Sequence, residues 1–230
     1  ETLAYLARLP HTVVPMPGPF NYSQLNNVGA AHTRGEFLLF LNNDIEIISG
    51  EWLEALLEHA QRKEVGAVGA KLLYPNRTIQ HAGVVLGHGG VAGHAFWYLP
   101  EDCAGYFDFQ QIIRNCSAVT AACMMMRKSV FVEVGGFDEK IRVAFNDIDL
   151  CLRVREKGYV IIYTPYAVLY HLESATRKSL HPVADEEYVR RRWGRVIDAG
   201  DPYYSPHLSL ERFDFSLRAL DRGLPLGDHR

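Results

Sequence analysis

The clearest pattern in the chain is Phe37-Leu38-Leu39-Phe40-Leu41, a continuous apolar run of strand length that stops at Asn42-Asn43-Asp44. It predicts a strand buried on both faces, with a polar cluster at its carboxyl end. After Ser49-Gly50, residues Trp52, Leu53, Leu56, Leu57 and Ala60 recur at helical spacing. Val65 to Leu73 then reads as a further strand, ended by Pro75-Asn76. The stretch from Phe37 to Leu73 is long enough for a strand, a crossover helix and a parallel strand, which take roughly 30 or more residues. The crossover is expected to be right-handed. These elements predict an α/β fold whose central sheet is mainly parallel and flanked by helices.

The rest of the chain fits that plan. Val160 to Tyr163 and Ala167 to Tyr170 are two apolar runs around Thr164-Pro165, and Pro165 argues against one long strand. Phe145, Ile148 and Leu152 mark the buried face of a helix that starts at Asn146, and a charged helix is predicted from Asp185 to Val196. At the amino end, Glu1 to Leu9 reads as the tail of a helix and His11 to Val14 as a strand.

Candidate chemistry sits at the ends of these elements. Asn146-Asp147-Ile148-Asp149 puts two carboxylates at a helix start, where Asn146 reads as the N-cap and the partial positive charge favours ionised acids. Gly135-Gly136 upstream would let an acceptor molecule approach the backbone. Asp147 is therefore a candidate general base, although the same letters suit an ordinary capping box with Asp149. Asp44, beyond the carboxyl end of an apolar strand, stands where a carboxylate can reach a metal ion and a phosphate. Asn42-Asn43-Asp44 would equally suit a plain turn. His171 follows a strand and could give a neutral imidazole to a metal, while Arg177 could neutralise phosphate.

Composition narrows the class. The 230 residues are 48% hydrophobic and 22% charged, enough for one main core, and the net charge of -3 offers no footprint for nucleic acid. Cysteines 103, 116, 123 and 151 have no C-x-x-C spacing, which favours neither a zinc ribbon nor a disulfide framework. Reduced cysteines in a cytoplasmic protein are the simpler reading. His81, His88 and His94 lie in a glycine-rich region and fit loop or acceptor-pocket roles better than zinc binding. Arg190-Arg191-Arg192-Trp193 could touch phosphate or an anionic membrane surface, but the acidic residues just before it favour a solvated helix face.

Taken together and in this order, the segments resemble a family 2 glycosyltransferase of the GT-A fold. The resemblance is carried by Asn27-Val28-Gly29, Gly35 to Asp44, Ile79 to Val84, Val119 to Arg127, Gly135-Gly136-Phe137-Asp138-Glu139, Asn146 to Arg153 and His171 to Arg177. It implies a core over residues 1–177, with 178–230 as a helical extension and tail. Asn42-Asn43-Asp44 matches the family's DXD-type motif, which makes Asp44 a ligand of Mn²⁺ or Mg²⁺ on a nucleotide-sugar donor, with His171 completing the metal site. Asn146-Asp147 matches the Glu-Asp pair whose aspartate deprotonates the acceptor. By the same likeness Asn27, Asn42, Asn43 and Arg177 face the donor, and Thr120, Gly136 and Asn146 face the acceptor or its sugars. The motif departs from the family in carrying amides at its first two positions and Asn146 for glutamate, and Ala121 replaces a common glycine.

What this implies is an inverting transfer from a nucleotide-diphosphate sugar to a glycan or lipid-linked acceptor, in the cytoplasm or at the inner face of the membrane. The tail resembles those of bacterial transferases that build rhamnose-containing surface polysaccharides. Family members also begin with strands that hold the nucleoside base, and no match to them precedes Glu1. Self-association through an uncovered edge strand is expected on that ground. A sugar nucleotidyltransferase and a noncatalytic glycan-binding module are the alternatives. The first would want a basic, glycine-rich phosphate loop near the amino end, and none is seen.

Overall fold

In the computed structural model, which describes residues 2–6, 8–172 and 183–218, a mixed sheet runs through the molecule with helices on its faces. In chain order the elements are α1 (Thr2–Leu6), α2 (Tyr22–His32), β1 (Phe37–Leu41), β2 (Ile45–Ile47), α3 (Trp52–Ala60), β3 (Val65–Leu73), β4 (Ile79–His81) and β5 (Val84–Leu86). They continue with β6 (Ala92–His94), β7 (Arg114–Cys116), β8 (Cys123–Arg127), α4 (Lys128–Glu133), α5 (Asn146–Glu156), β9 (Val160–His171) and α6 (Val183–Asp198). Residues 11–14, expected as a strand, form none; the four lie in irregular backbone next to glycine and proline.

The strand order is β1-β8-β3-β9-β2, with β4 added to β3 and β7 to β9. The α/β class stands, but the expectation of a mainly parallel sheet is corrected. Among the described residues β3–β9 is the one parallel ladder, and β8 runs antiparallel between β1 and β3. The two predicted strands of the crossover unit are thus parallel to each other without touching. An apolar run shows that a strand is buried but not which way its neighbour runs, so the insertion of Cys123–Arg127 had no signature of its own.

A second correction concerns Pro165. The chain passes through it in one twelve-residue strand, β9, because the ladder to β3 shifts register there. Gly69 pairs with Tyr163 and Lys71 with Val168, so Thr164 to Ala167 bulge opposite Ala70 alone. A bulge is where proline's missing N–H costs no ladder bond.

All nine residues of β3 are buried, and two of its glycines explain how closely the layers approach. A Cβ on Gly66 would lie 2.2 Å from Val154 of α5, and one on Gly69 2.4 Å from Val119. On the opposite face Leu56 and Ala60 of α3 close over Val65, Val68 and Leu72.

Helix α6 packs into the same buried cluster as α5 through Val189, Trp193 and Ile197. The contact is keyed by Asp149, whose fully buried carboxylate accepts bonds from Trp193 Nε1 (2.8 Å) and Arg153 Nε (2.8 Å), with Arg192 at 3.2 Å. Arg192 also reaches Asp138 at 2.9 Å. The three arginines of Arg190–Trp193 are exposed, in keeping with a solvated basic face, while Trp193 is buried and Arg192 reaches Asp149 and Asp138 from the edge of that face. Asp149 is an ion-pair hub and not a helix cap. Removing it would strand Arg153 in a buried place, so Asp149→Ala should destabilise the fold by about 3–5 kcal/mol. Urea unfolding followed by circular dichroism checks this, and a loss below about 1 kcal/mol, the range of an exposed pair, would contradict it.

Candidate active site

The short strand β2 folds back antiparallel on the end of β9, pairing Ile45 with His171. Leu172 N–H donates to the Asp44 carbonyl at 2.9 Å, which closes the corner. This register brings Asp44 Oδ1 to 3.2 Å from His171 Nε2, with Asn42 Nδ2 3.1 Å from the same nitrogen. On the other side of the ring, Nδ1 lies 2.6 Å from Gln80 Oε1, while Gln80 Nε2 donates to the His171 carbonyl at 3.4 Å. The second bond fixes which end of the amide faces the ring, so Nδ1 carries a proton and Nε2 is the nitrogen that faces Asn42 and Asp44. A histidine whose far N–H is held by an oxygen, beside a carboxylate, is the donor set of a metal-binding imidazole. Among the described residues no group of three or more His, Cys, Asp or Glu side chains converges. Asp44 and His171 would thus hold a divalent cation only together with oxygens from its ligand, as Mg²⁺ or Mn²⁺ bound to a diphosphate would be.

The second carboxylate arrives from α5. Phe145 turns the chain in a left-handed conformation (φ 61°) and occupies the cap position, leaving Asn146 as the first helical residue. Asn146 Nδ2 donates back to the Val143 carbonyl at 3.3 Å, so the predicted Asn146 N-cap is corrected. Asp147, half-buried, accepts from Ala121 N–H (3.1 Å), from Ile148 N–H (2.9 Å) and from the Thr120 hydroxyl. Burial pushes its pKa above the ordinary aspartate value, and these three donors only partly offset the rise.

A non-glycine residue in the left-handed region is strained by roughly 1–2 kcal/mol, and the loop before Phe145 is held from α6. The buried Asp185 carboxylate accepts three successive backbone N–H bonds, from Arg142 (3.2 Å), Val143 (2.8 Å) and Ala144 (3.1 Å). Its pattern in the sequence, an acid at a helix start, gave no hint of a partner some forty residues earlier.

A cavity of about 650 Å³ joins these pieces, lined by Asn42 and His171 and by Thr120, Ala121, Asn146 and Asp147. Of the residues singled out in the sequence, it therefore gathers Asn42, Thr120, Asn146, Asp147 and His171, with Asp44 against His171. Asn43 sits in the exposed turn after β1. Asn27 and Gly136 line a different groove, with Arg153 and Arg192. The Asn27 amide is occupied there: its Nδ2 donates to the Phe137 carbonyl (2.9 Å) and its Oδ1 accepts from Phe137 N–H (2.8 Å). Arg177 and Glu173 lie outside the described residues. His81 Nδ1 contacts His94 Nδ1 at 2.8 Å, and His88 packs edge-on to Tyr204 and Phe213, its pKa lowered to about 4 by burial.

The architecture is that of the GT-A glycosyltransferases. A mannosyltransferase from Pyrobaculum calidifontis, solved in complex with GDP-Man and Mn²⁺, aligns over 81% of this chain and 46% of its own with a TM-score of 0.51 at 14% identity, a likeness of fold alone. Residues 16–185 match the family model described as glycosyltransferase like family 2, and the chain belongs to that family. An uncharacterized protein y4gI of Sinorhizobium fredii is 49% identical over 207 residues, covering 86% of this chain and 23% of the relative. The O-antigen biosynthesis protein RfbC of Myxococcus xanthus is 45% identical over 206 residues, covering 87% and 16%. An N-acetylglucosaminyl-diphospho-decaprenol L-rhamnosyltransferase of Mycobacterium tuberculosis is 27% identical over 150 residues, covering 61% and 48%. The chain thus spans under a quarter of the length of the first two relatives.

The Asp185 clamp can be tested directly. Each hydrogen bond to a charged group contributes about 1.5–3 kcal/mol, so Asp185→Ala should raise amide exchange at Val143 and Ala144 by tenfold or more. Exchange within β3 should be unaffected. Equal loss of protection throughout would mean that the variant loosens the whole fold and that the clamp is not local.

Proposed function

We propose that the chain carries the catalytic site of an inverting transferase, which moves a sugar from a nucleoside-diphosphate donor to a hydroxyl of a glycan or lipid-linked acceptor in bacterial surface-polysaccharide synthesis. The observation that supports this best is one cavity lined by both Asp147 and His171, with Asp44 Oδ1 3.2 Å from His171 Nε2. Leaving-group departure needs a Lewis acid and the incoming hydroxyl needs a base, and the same cavity is lined by Asp147 and by the His171 against which Asp44 lies.

In this reading Asp147 accepts the proton of the acceptor hydroxyl as its oxygen attacks the anomeric carbon, and the nucleoside diphosphate leaves from the opposite face. Direct displacement by one base inverts the configuration. Ala121 N–H and the Thr120 hydroxyl orient the carboxylate, while burial gives it the basicity that an exposed aspartate lacks. Asp44 and His171 would hold Mn²⁺ or Mg²⁺, which when bound neutralises charge on the departing diphosphate, and the imidazole favours Mn²⁺. The names of the Myxococcus and Mycobacterium relatives support a polysaccharide or lipid-linked setting. Among the described residues no helix is long and apolar enough to cross a membrane. We place the acceptor at the cytoplasmic membrane face on the same reading.

Asp147→Asn keeps the shape of the side chain but cannot take the proton, so transfer should fall by roughly 10²- to 10⁴-fold while donor affinity, read by calorimetry, stays level. Near-normal transfer would remove Asp147 from the role. The pH profile is a separate check. A base works only when ionised, and a raised pKa moves its protonation to higher pH. The acid limb of kcat/KM should therefore lie above the range of an ordinary aspartate; a limb within that range would contradict the buried base. Asp44→Ala should abolish the Mn²⁺-dependent part of nucleotide binding in calorimetric titrations, and an unchanged affinity would sink the metal assignment.

A further inference from the structure

The cavity that Asp147 lines also carries an aromatic wall. Tyr74, Trp97 and Phe213 line it, half-buried, together with His94 and Glu186, while the His88 nitrogens beneath are buried. The rings are fixed to one another. Trp97 Nε1 donates to the Tyr74 hydroxyl at 3.0 Å, and the Phe213 ring meets Trp97 edge-on at 5.3 Å. Tyr98 stacks on both Tyr74 (5.0 Å, 9°) and Trp97 (4.6 Å, 26°).

Holding Trp97 in this position strains the backbone. The residues on either side of it, Phe96 and Tyr98, both adopt left-handed conformations (φ 59° and 62°). Such residues cost about 1–3 kcal/mol each and cluster at ligand clamps. Phe213 also depends on a bare backbone beside it, since a Cβ on Gly93 would lie 2.8 Å from its Cε1. The segment that delivers Phe213 is anchored by Phe215 stacked on Phe96 (4.4 Å, 1°) and by Asp201 accepting from Leu86 N–H at 2.8 Å. Rings needed only to fill a core would be buried as Phe96 and Phe215 are; these three stay open to the cavity.

We propose that Tyr74, Trp97 and Phe213 form a saccharide subsite that holds a pyranose ring of the acceptor in the cavity that Asp147 lines. The proposal rests on the glycosyl-transfer reading and deepens it. A pyranose has an apolar face of C–H groups whose positive edges suit the negative face of an aromatic ring, and hydroxyls around its rim. Pre-fixed aromatic surface with a few polar groups beside it is what such a ligand needs. Glu186 and His94, which also line the cavity, supply those polar groups.

The test uses the protein grown with 5-fluorotryptophan, which has three tryptophans and hence three fluorine resonances. Trp97→Phe assigns the relevant one. Titration with methyl glycosides of glucose, N-acetylglucosamine and rhamnose should shift the Trp97 resonance saturably and leave Trp52 and Trp193 in place. Phe213→Ala should weaken the best of these by roughly three- to tenfold, the worth of one aromatic contact. The conservative Phe213→Tyr should keep the binding. A Trp97 signal unmoved by every glycoside overturns the subsite. So does a signal moved by UDP with Mn²⁺ alone, which would give the wall to the nucleotide base. Calorimetry of UDP with Mn²⁺ is run in parallel. Nucleotide binding together with a Trp97 signal that no glycoside moves rejects the subsite and leaves the transfer reading standing. Glycoside binding without nucleotide binding supports the subsite and rejects the transfer reading.

Discussion

The register of β2 on β9 is the constraint on which the site depends. Ile45 pairs with His171 at the far end of a strand that is itself locked to β3 and β7, so the turn after β1 can close in one way. A slip of one residue would send the side chains at this corner to the opposite face of the sheet. Asp44 and His171 would then no longer meet, whatever their individual affinities for a cation. The bulge at Pro165 belongs to the same constraint. By absorbing residues Thr164 to Ala167 opposite Ala70, it sets where Val168, Leu169 and Tyr170 fall along β3, and so where the strand ends.

Asp147, the proposed base, is positioned by quite different means. Asp147 sits on a helix entered through a strained residue, Phe145, and the loop leading to it has no strand to hold it. Its support comes from α6, through the Asp185 carboxylate on three backbone amides and through Asp149 and its partners Trp193, Arg153 and Arg192. The two halves of the site thus rest on separate physics, backbone pairing for the Asp44–His171 corner and buried side-chain carboxylates for the Asp147 loop. They meet at Ala121-Ala122, where the Ala121 N–H donates to Asp147 and the Ala122 carbonyl accepts from Asn42 N–H at 3.0 Å.

How much of this could be read in the sequence follows from the range of the interactions. Phe37–Leu41 and Val65–Leu73 match the predicted strands residue for residue; burial on both faces holds for β3, whereas β1 is buried at Leu38 and Phe40, half-buried at Phe37 and Leu39 and exposed at Leu41. An apolar run is blind to strand direction, so the antiparallel entry of β8 and the mixed character of the sheet were not visible. Asp147, Asp44 and His171 were legible by motif, and the fold brings them to one region. Asn146 was misread as a cap because the left-handed Phe145 that takes its place is held by a residue on another helix. Asn27 and Gly136, given by the resemblance to the donor and to the acceptor respectively, instead lie together in a separate groove, where the asparagine amide is bound to the backbone of Phe137. Trp97 and Phe213 carried no spacing that links them; only the wrapping of the 201–215 segment around the β5–β6 hairpin joins them.

The central claim is that a metal-bound diphosphate at Asp44–His171 and a base at Asp147 serve one cavity. The measurement that tests it most directly is anomalous diffraction at the manganese edge from crystals of the protein grown with UDP and Mn²⁺. The account predicts a single manganese peak bonded to Asp44 and His171 Nε2, with the diphosphate directed into the space that Asp147 lines. A peak at another site, or a diphosphate directed away from Asp147, would contradict it.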